Sequence, residues 1–224
     1  MKKRCMLGIA VLAVFIIFTV SVVKVDVQPI GREGTDVGMA SVNDAFRTFT
    51  GEHRTLYQMT EVLGYAAFAV IAAFGLLGVC QLIRRKSLLK VDRDILLLGV
   101  FYVIVLGLYV LFDKVVLNYR PPFSWEDGPE ASYPSSHTLL VLFVMSTAVM
   151  QIVRRVKNAS GKWLAVTVCI ILALAVVIGR AVCGVHWLTD IVGSIILSFG
   201  LAELYCGLAW TAPANAPAKD TEAK

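Results

Sequence analysis

Residues 95–112 read ILLLGVFYVIVLGLYVLF, eighteen residues without a charge, closed by Arg93 and Asp94 at one end and by Asp113 and Lys114 at the other. About 20 apolar residues carry an α-helix across the hydrocarbon core of a bilayer. This stretch therefore reads as a membrane span. Five more blocks share its character: residues 6–23 behind Lys2-Lys3-Arg4, then 62–83, 136–153, 163–182 and 187–210. The whole chain of 224 residues is 58% hydrophobic and 17% charged, with a mean hydropathy of +0.74. A soluble globule, a disordered chain, collagen and a coiled coil all fall on that arithmetic. The expected fold is all-α, an integral membrane bundle of six transmembrane helices. The first block could also be a signal peptide, but no small-x-small cleavage site follows it before Lys24.

The net charge of +5 does not point to nucleic acid, because the basic residues lie in short runs between the apolar blocks. Lys2, Lys3 and Arg4 precede the first block. Arg84, Arg85, Lys86, Lys90 and Arg93 join the second to the third, and Arg154, Arg155, Lys157 and Lys162 join the fourth to the fifth. With Lys219 and Lys224 in the tail, fourteen of the 21 basic residues fall on one side. By the positive-inside rule that side is cytoplasmic, and so are both termini. Residues 1–210 then form one membrane domain, and 211–224, small and proline-rich, a disordered tail. The five cysteines, Cys5, Cys80, Cys169, Cys183 and Cys206, are odd in number and mostly intramembrane, which is no disulfide framework.

This topology puts residues 113–135 and 180–186 at the same outer face. The segment from Lys24 to the second span is long enough to hold structure of its own. Val42, Phe46 and Phe49 recur there at helical spacing about Asn43-Asp44, which reads as a short interfacial helix or as a mobile loop.

The chemistry-bearing residues gather on that face. They are Lys114 and Arg120, then Ser135, Ser136 and His137, then Arg180, His186 and Asp190. His186 and Asp190 stand at i and i+4, so the carboxylate can hold an imidazole nitrogen. The two arginines offer planar forks suited to phosphate, and Lys114 adds a point charge. A helix starting at Ser135-Ser136 aims its N–H groups and its dipole at an anion. Two histidines allow one to attack phosphorus while the other passes a proton to the leaving oxygen. No cluster has zinc-like spacing and no acidic group suits magnesium, so neither a metal nor a cofactor is expected.

Lys114…Arg120-Pro121, Pro134-Ser135-Ser136-His137 and Arg180-(five)-His186-(three)-Asp190 resemble the three signature motifs of the type 2 phosphatidic acid phosphatase superfamily, in its integral-membrane branch. The motifs cover residues 113–190, and the six-span plan covers the chain. The resemblance implies that His186 is a nucleophile forming a phosphohistidine and that Asp190 orients it. It implies that His137 protonates the leaving group and then activates water. Lys114, Arg120 and Arg180 would hold the phosphoryl oxygens, with Ser135 and Ser136 completing the cradle. The chain departs from the family pattern in three places. Five residues separate Lys114 from Arg120 where six are usual, Ser136 replaces a glycine, and Gly179 replaces a serine.

The implied activity is metal-independent dephosphorylation of a lipid phosphate or diphosphate at the extracytoplasmic face of the cell membrane. Undecaprenyl diphosphate ranks first, ahead of phosphatidylglycerophosphate and phosphatidic acid. The partners are the lipid substrate and the bilayer. A phosphotransferase using the same histidine is the alternative, and an anion-binding transporter a weaker one, since the charges sit at one surface and no paired broken helices occur. Oligomeric state is not legible. Outside the motifs, His53 reads as a solvated loop residue. Glu126, Asp127 and Glu130 solvate the outer loop or pair with the site's cations. Trp125 and Tyr133 suit the interface. Glu203 marks either the cytoplasmic boundary or a bond to a neighbouring helix.

Overall fold

Apolar segments in lipid have no water to satisfy their N–H and C=O groups, so they close those bonds within a helix. The computed structural model describes residues 2–125 and 128–209. In them lie seven α-helices: α1 (Lys2–Lys24), α2 (Ala40–Thr50), α3 (Arg54–Arg85), α4 (Arg93–Lys114), α5 (Ser136–Arg155), α6 (Ala159–Val182) and α7 (Leu188–Ala209). All but α2 are long and apolar enough to span a membrane. The expected tail beyond 210 and the acidic pair Glu126 and Asp127 lie outside the described residues.

Helices α5 and α7 form the centre. Leu139, Leu140, Phe143 and Val144 of one and Leu197, Leu201 and Tyr205 of the other are buried together. Helix α1 lies along α7 at a distance that small residues permit. A Cβ on Gly8 would stand 2.8 Å from the Leu204 side chain, and one on Gly200 2.8 Å from Leu12. The first apolar block is thus an integral wall of the bundle.

One end of the bundle is tied by a partly buried charge network. Arg155 on α5 spans Asp94 on α4 at 2.8 and 2.9 Å and reaches Asp92 at 2.8 Å. Gln151 adds a bond to Asp94, and the Tyr205 hydroxyl donates to the Asp94 carbonyl. At the same end Arg4 pairs with Glu203 at 3.3 Å, which settles Glu203 as an interhelical contact.

The largest difference from the expected spans is in α3, which begins at Arg54, eight residues ahead of the apolar block that starts at 62. Its first turns are amphipathic. Leu56, Tyr57, Thr60, Glu61 and Gly64 turn inward at helical spacing, while Thr55, Gln58 and Met59 are exposed. Helix α2 takes the place left open between helix and mobile loop, with Asn43 and Arg47 bonded to the protein. Val42 and Phe49 point outward, Phe49 88% exposed.

Candidate active site

The end of the bundle opposite the Arg155 network carries the segments 25–39, 115–125, 128–135 and 183–187, and the first turns of α3, α5 and α7. Their backbones lock together. Tyr119 and Ala131 form an isolated antiparallel bridge, with Arg120 N–H donating to the Glu130 carbonyl and Ser132 N–H to that of Asn118. The Trp187 indole donates to the Tyr119 carbonyl at 2.6 Å. The Asn118 side chain receives the Gly38 N–H, and Asn43 bonds Thr189 in both directions. Gly184 sits at φ +86, where a Cβ would come within 2.5 Å of the Gly51 carbonyl oxygen. Only glycine allows the 183–187 loop to press against the Gly51-Glu52 turn ahead of α3 in this way.

His186 is buried at the centre of this clamp. Its Nδ1 stands 3.5 Å from Asp190 Oδ2 and 3.3 Å from Ser132 Oγ. Ser132 donates its own proton to Asp190 Oδ2, which also receives the Trp187 N–H at 2.8 Å. With two acceptors facing Nδ1, that nitrogen holds the imidazole proton and Nε2 keeps its lone pair. Burial pushes the His186 imidazolium well below its ordinary pKa, and the cations of Arg120 and Arg180 push it further the same way. The ring is therefore neutral at neutral pH, with the Nε2 lone pair free of a proton.

Arg180, on the last turn of α6, is wholly buried. Its guanidinium lies over the Tyr57 ring, 5.1 Å from the centroid. Nη2 donates to Glu61 Oε1 at 2.7 Å, while Nε and Nη1 are buried and donate to no protein atom among the described residues. His137, in the first turn of α5, has Nε2 3.3 Å from Glu61 Oε2 and packs edge-on against Tyr109 of α4. Arg120 is held by its own loop, Nε to the Ala131 carbonyl at 3.2 Å and Nη1 to Glu130 at 3.1 Å.

The structure thus brings His137, Arg180, His186, Asp190 and Arg120 to one place. Three other expected site residues sit differently. Lys114 ends α4 with its side chain 77% exposed and paired to Asp113 at 2.8 Å. Ser135 is wholly buried and serves as a clamp: its hydroxyl donates to Thr138, its N–H to the Asp190 carbonyl, and its own carbonyl accepts from Ser194. Ser136 is half-buried and opens α5. Among the described residues no group of three or more His, Cys, Asp or Glu is placed to hold a metal ion.

Sequence reading passed over Ser132, Tyr57 and above all Glu61. The signal for Glu61 was present, since an ionisable residue at the mouth of a span calls for a partner. Reading residues up to 61 as loop removed it from consideration.

Residues 94–213 match the family model of the PAP2 superfamily, over half of the chain. The chain belongs to that superfamily. Membership makes it a phosphate-ester hydrolase, and six apolar helices make this PAP2 protein a multi-pass membrane protein. Among solved structures it is similar to the crystal structure of the first transmembrane PAP2-type phosphatidylglycerolphosphate phosphatase from Bacillus subtilis. The TM-score is 0.63 at 18% identity, over 89% of this chain and 94% of the other. At that identity the likeness speaks for a shared PAP2 fold. No curated protein matches the sequence.

Proposed function

We propose that this PAP2 enzyme removes phosphate from a lipid phosphate or diphosphate at the extracytoplasmic face of the cell membrane, through a phosphohistidine on His186. The observation that carries the reading is Arg180. A wholly buried guanidinium with two nitrogens that meet no protein acceptor among the described residues, beside two carboxylate-held histidines at the end of a bilayer-spanning bundle, suits a phosphoryl group whose tail stays in lipid.

In the first step His186 Nε2 attacks phosphorus, and Asp190 with Ser132 steadies the imidazolium that forms. His137 gives its proton to the departing oxygen, leaving dephosphorylated lipid and phosphohistidine. In the second step His137 takes a proton from water, the resulting nucleophile attacks phosphorus, and inorganic phosphate leaves as His186 regains its neutral ring. Arg180 and Arg120 hold the phosphoryl oxygens as their charge grows. Lys114 joins them only by swinging away from Asp113. Residues 1–210 act as one membrane domain, and the cationic runs at the Arg155 end support placing that end in the cytoplasm. The lipid ranked first is undecaprenyl diphosphate, on analogy with small enzymes of this plan.

Phosphate release by the purified protein in detergent with EDTA tests this. Undecaprenyl diphosphate, phosphatidylglycerophosphate and phosphatidic acid are offered in parallel. Release that survives EDTA and is lost in His186→Ala is the expected result. A new phosphorylated acceptor without inorganic phosphate would replace hydrolysis by transfer. Near-normal release by His186→Ala would remove the phosphohistidine.

A further inference from the structure

Glu61 belongs to none of the three motifs, yet it is the side chain that joins two of them. Its Oε1 takes Arg180 Nη2 at 2.7 Å and its Oε2 faces His137 Nε2 at 3.3 Å. This bridge is built into the backbone. A Cβ on Gly64, one turn along α3, would lie 2.9 Å from the His137 ring, and one on Gly179, next to Arg180, would lie 2.4 Å from Thr60. Glycine at both positions lets α5 and α6 close on the same turn of α3, and Glu61 is the residue caught between them.

The choice of arginine nitrogen matters. A guanidinium offers two two-pronged edges, Nε with Nη2 and Nη1 with Nη2, and both run through Nη2. Glu61 holds that shared nitrogen, while Nε and Nη1 have no protein acceptor among the described residues. Nη2 carries two hydrogens, one on each edge, so a phosphate engaging Arg180 either displaces Glu61 from its edge or shares Nη2 with it, anion beside anion. The two carboxylate oxygens of Glu61 stand on the arginine and the histidine much as two phosphoryl oxygens would.

Resting on the phosphatase reading above, we propose that Glu61 is a resident competitor for the phosphoryl group. Its carboxylate holds Arg180 and His137 in place, and the substrate phosphate takes Arg180 from it while Glu61 stays on His137. Glu61 is then a positioning residue that sets how tightly the site holds phosphate, and with it how readily product leaves.

The test is inorganic phosphate as the ligand, in detergent, on wild type, Glu61→Gln and Glu61→Ala. Binding is read as the rise of the thermal-unfolding midpoint with phosphate concentration and as competitive inhibition of lipid dephosphorylation. Both variants should bind phosphate on the order of tenfold more tightly, because a charge that opposed it is gone. Glu61→Gln should also turn over more slowly, since His137 loses its carboxylate and product is retained. A residue with a merely structural role would weaken phosphate binding or leave it unchanged, and that result overturns the proposal. Loss of phosphate binding and of turnover in the wild type itself would instead bring down the phosphatase reading, and this inference with it.

Discussion

At the scale of single residues, the site depends on setting two histidines apart. His186 is buried, cornered by Ser132 and Asp190 on one nitrogen, and faces the positive field of two arginines. Its imidazolium pKa lies well below the ordinary value of 6.5, so the folded ring stays neutral where an unfolded one would protonate. The stability that follows is fully present above about pH 6.5 and is lost as pH falls towards the folded value. Histidine-labelled protein followed by NMR should therefore show the His186 ring, identified by its loss in His186→Ala, still uncharged at pH 6.5. Titration at or above 6.5 would mean that water reaches the ring. Much of this was readable beforehand, because arginine, histidine and aspartate at 180, 186 and 190 keep a spacing that a helix start converts into proximity. Ser132 was not readable. Nothing in Glu130-Ala131-Ser132 distinguishes its hydroxyl until the Tyr119–Ala131 bridge turns it towards Asp190.

Among the elements, α3 is the one whose reading changed most. Hydropathy alone starts it at 62, because the preceding residues alternate charge with apolar side chains and average out over a window. In three dimensions those same residues form a helix with one face against α5 and α6, and that face carries Tyr57 and Glu61. Gly64 sets the approach, with the His137 ring only 2.9 Å from where its Cβ would be. Gly64→Ala should push that ring off Glu61 and lower kcat by about 10- to 100-fold, the scale of a misplacement near 1 Å. The fold should survive, since a ring can move where a backbone cannot. Lipid-phosphate turnover set beside thermal stability in detergent checks this, and unchanged turnover would place the ring's freedom elsewhere. The lysine of the first motif shows the converse. Lys114 has the reach to approach a phosphate, but at the end of α4 it settles on its neighbour Asp113 and on solvent.

For the whole molecule, the two ends of the bundle have different tasks. The site end is held by backbone bonds among loops, and the far end by the Arg155, Asp94 and Asp92 network. Asp94 is buried, so removing its guanidinium partner leaves a charge with reduced compensation. Arg155→Ala should cost about 2–3 kcal/mol, somewhat below the usual loss for a fully buried pair because Arg155 is partly exposed. The expected signature is a shorter half-life of the folded state in detergent with KM for the lipid unchanged. A shift in KM would couple the two ends of the bundle.

Length, hydropathy and the order of motifs were enough to identify six membrane-length helices and the residues that gather at one end of the bundle. The reason is that a bilayer leaves the backbone one way to satisfy itself across each apolar block. The same information did not show that Ser135 is turned inward as a clamp, that Lys114 stands aside, or that Glu61 bridges Arg180 and His137. Those contacts link residues up to 119 positions apart. The Ser135 clamp exists because α5 meets α7, and the Glu61 bridge because Gly64 and Gly179 let helix turns come close, a distance decided only when α3, α5 and α6 pack together.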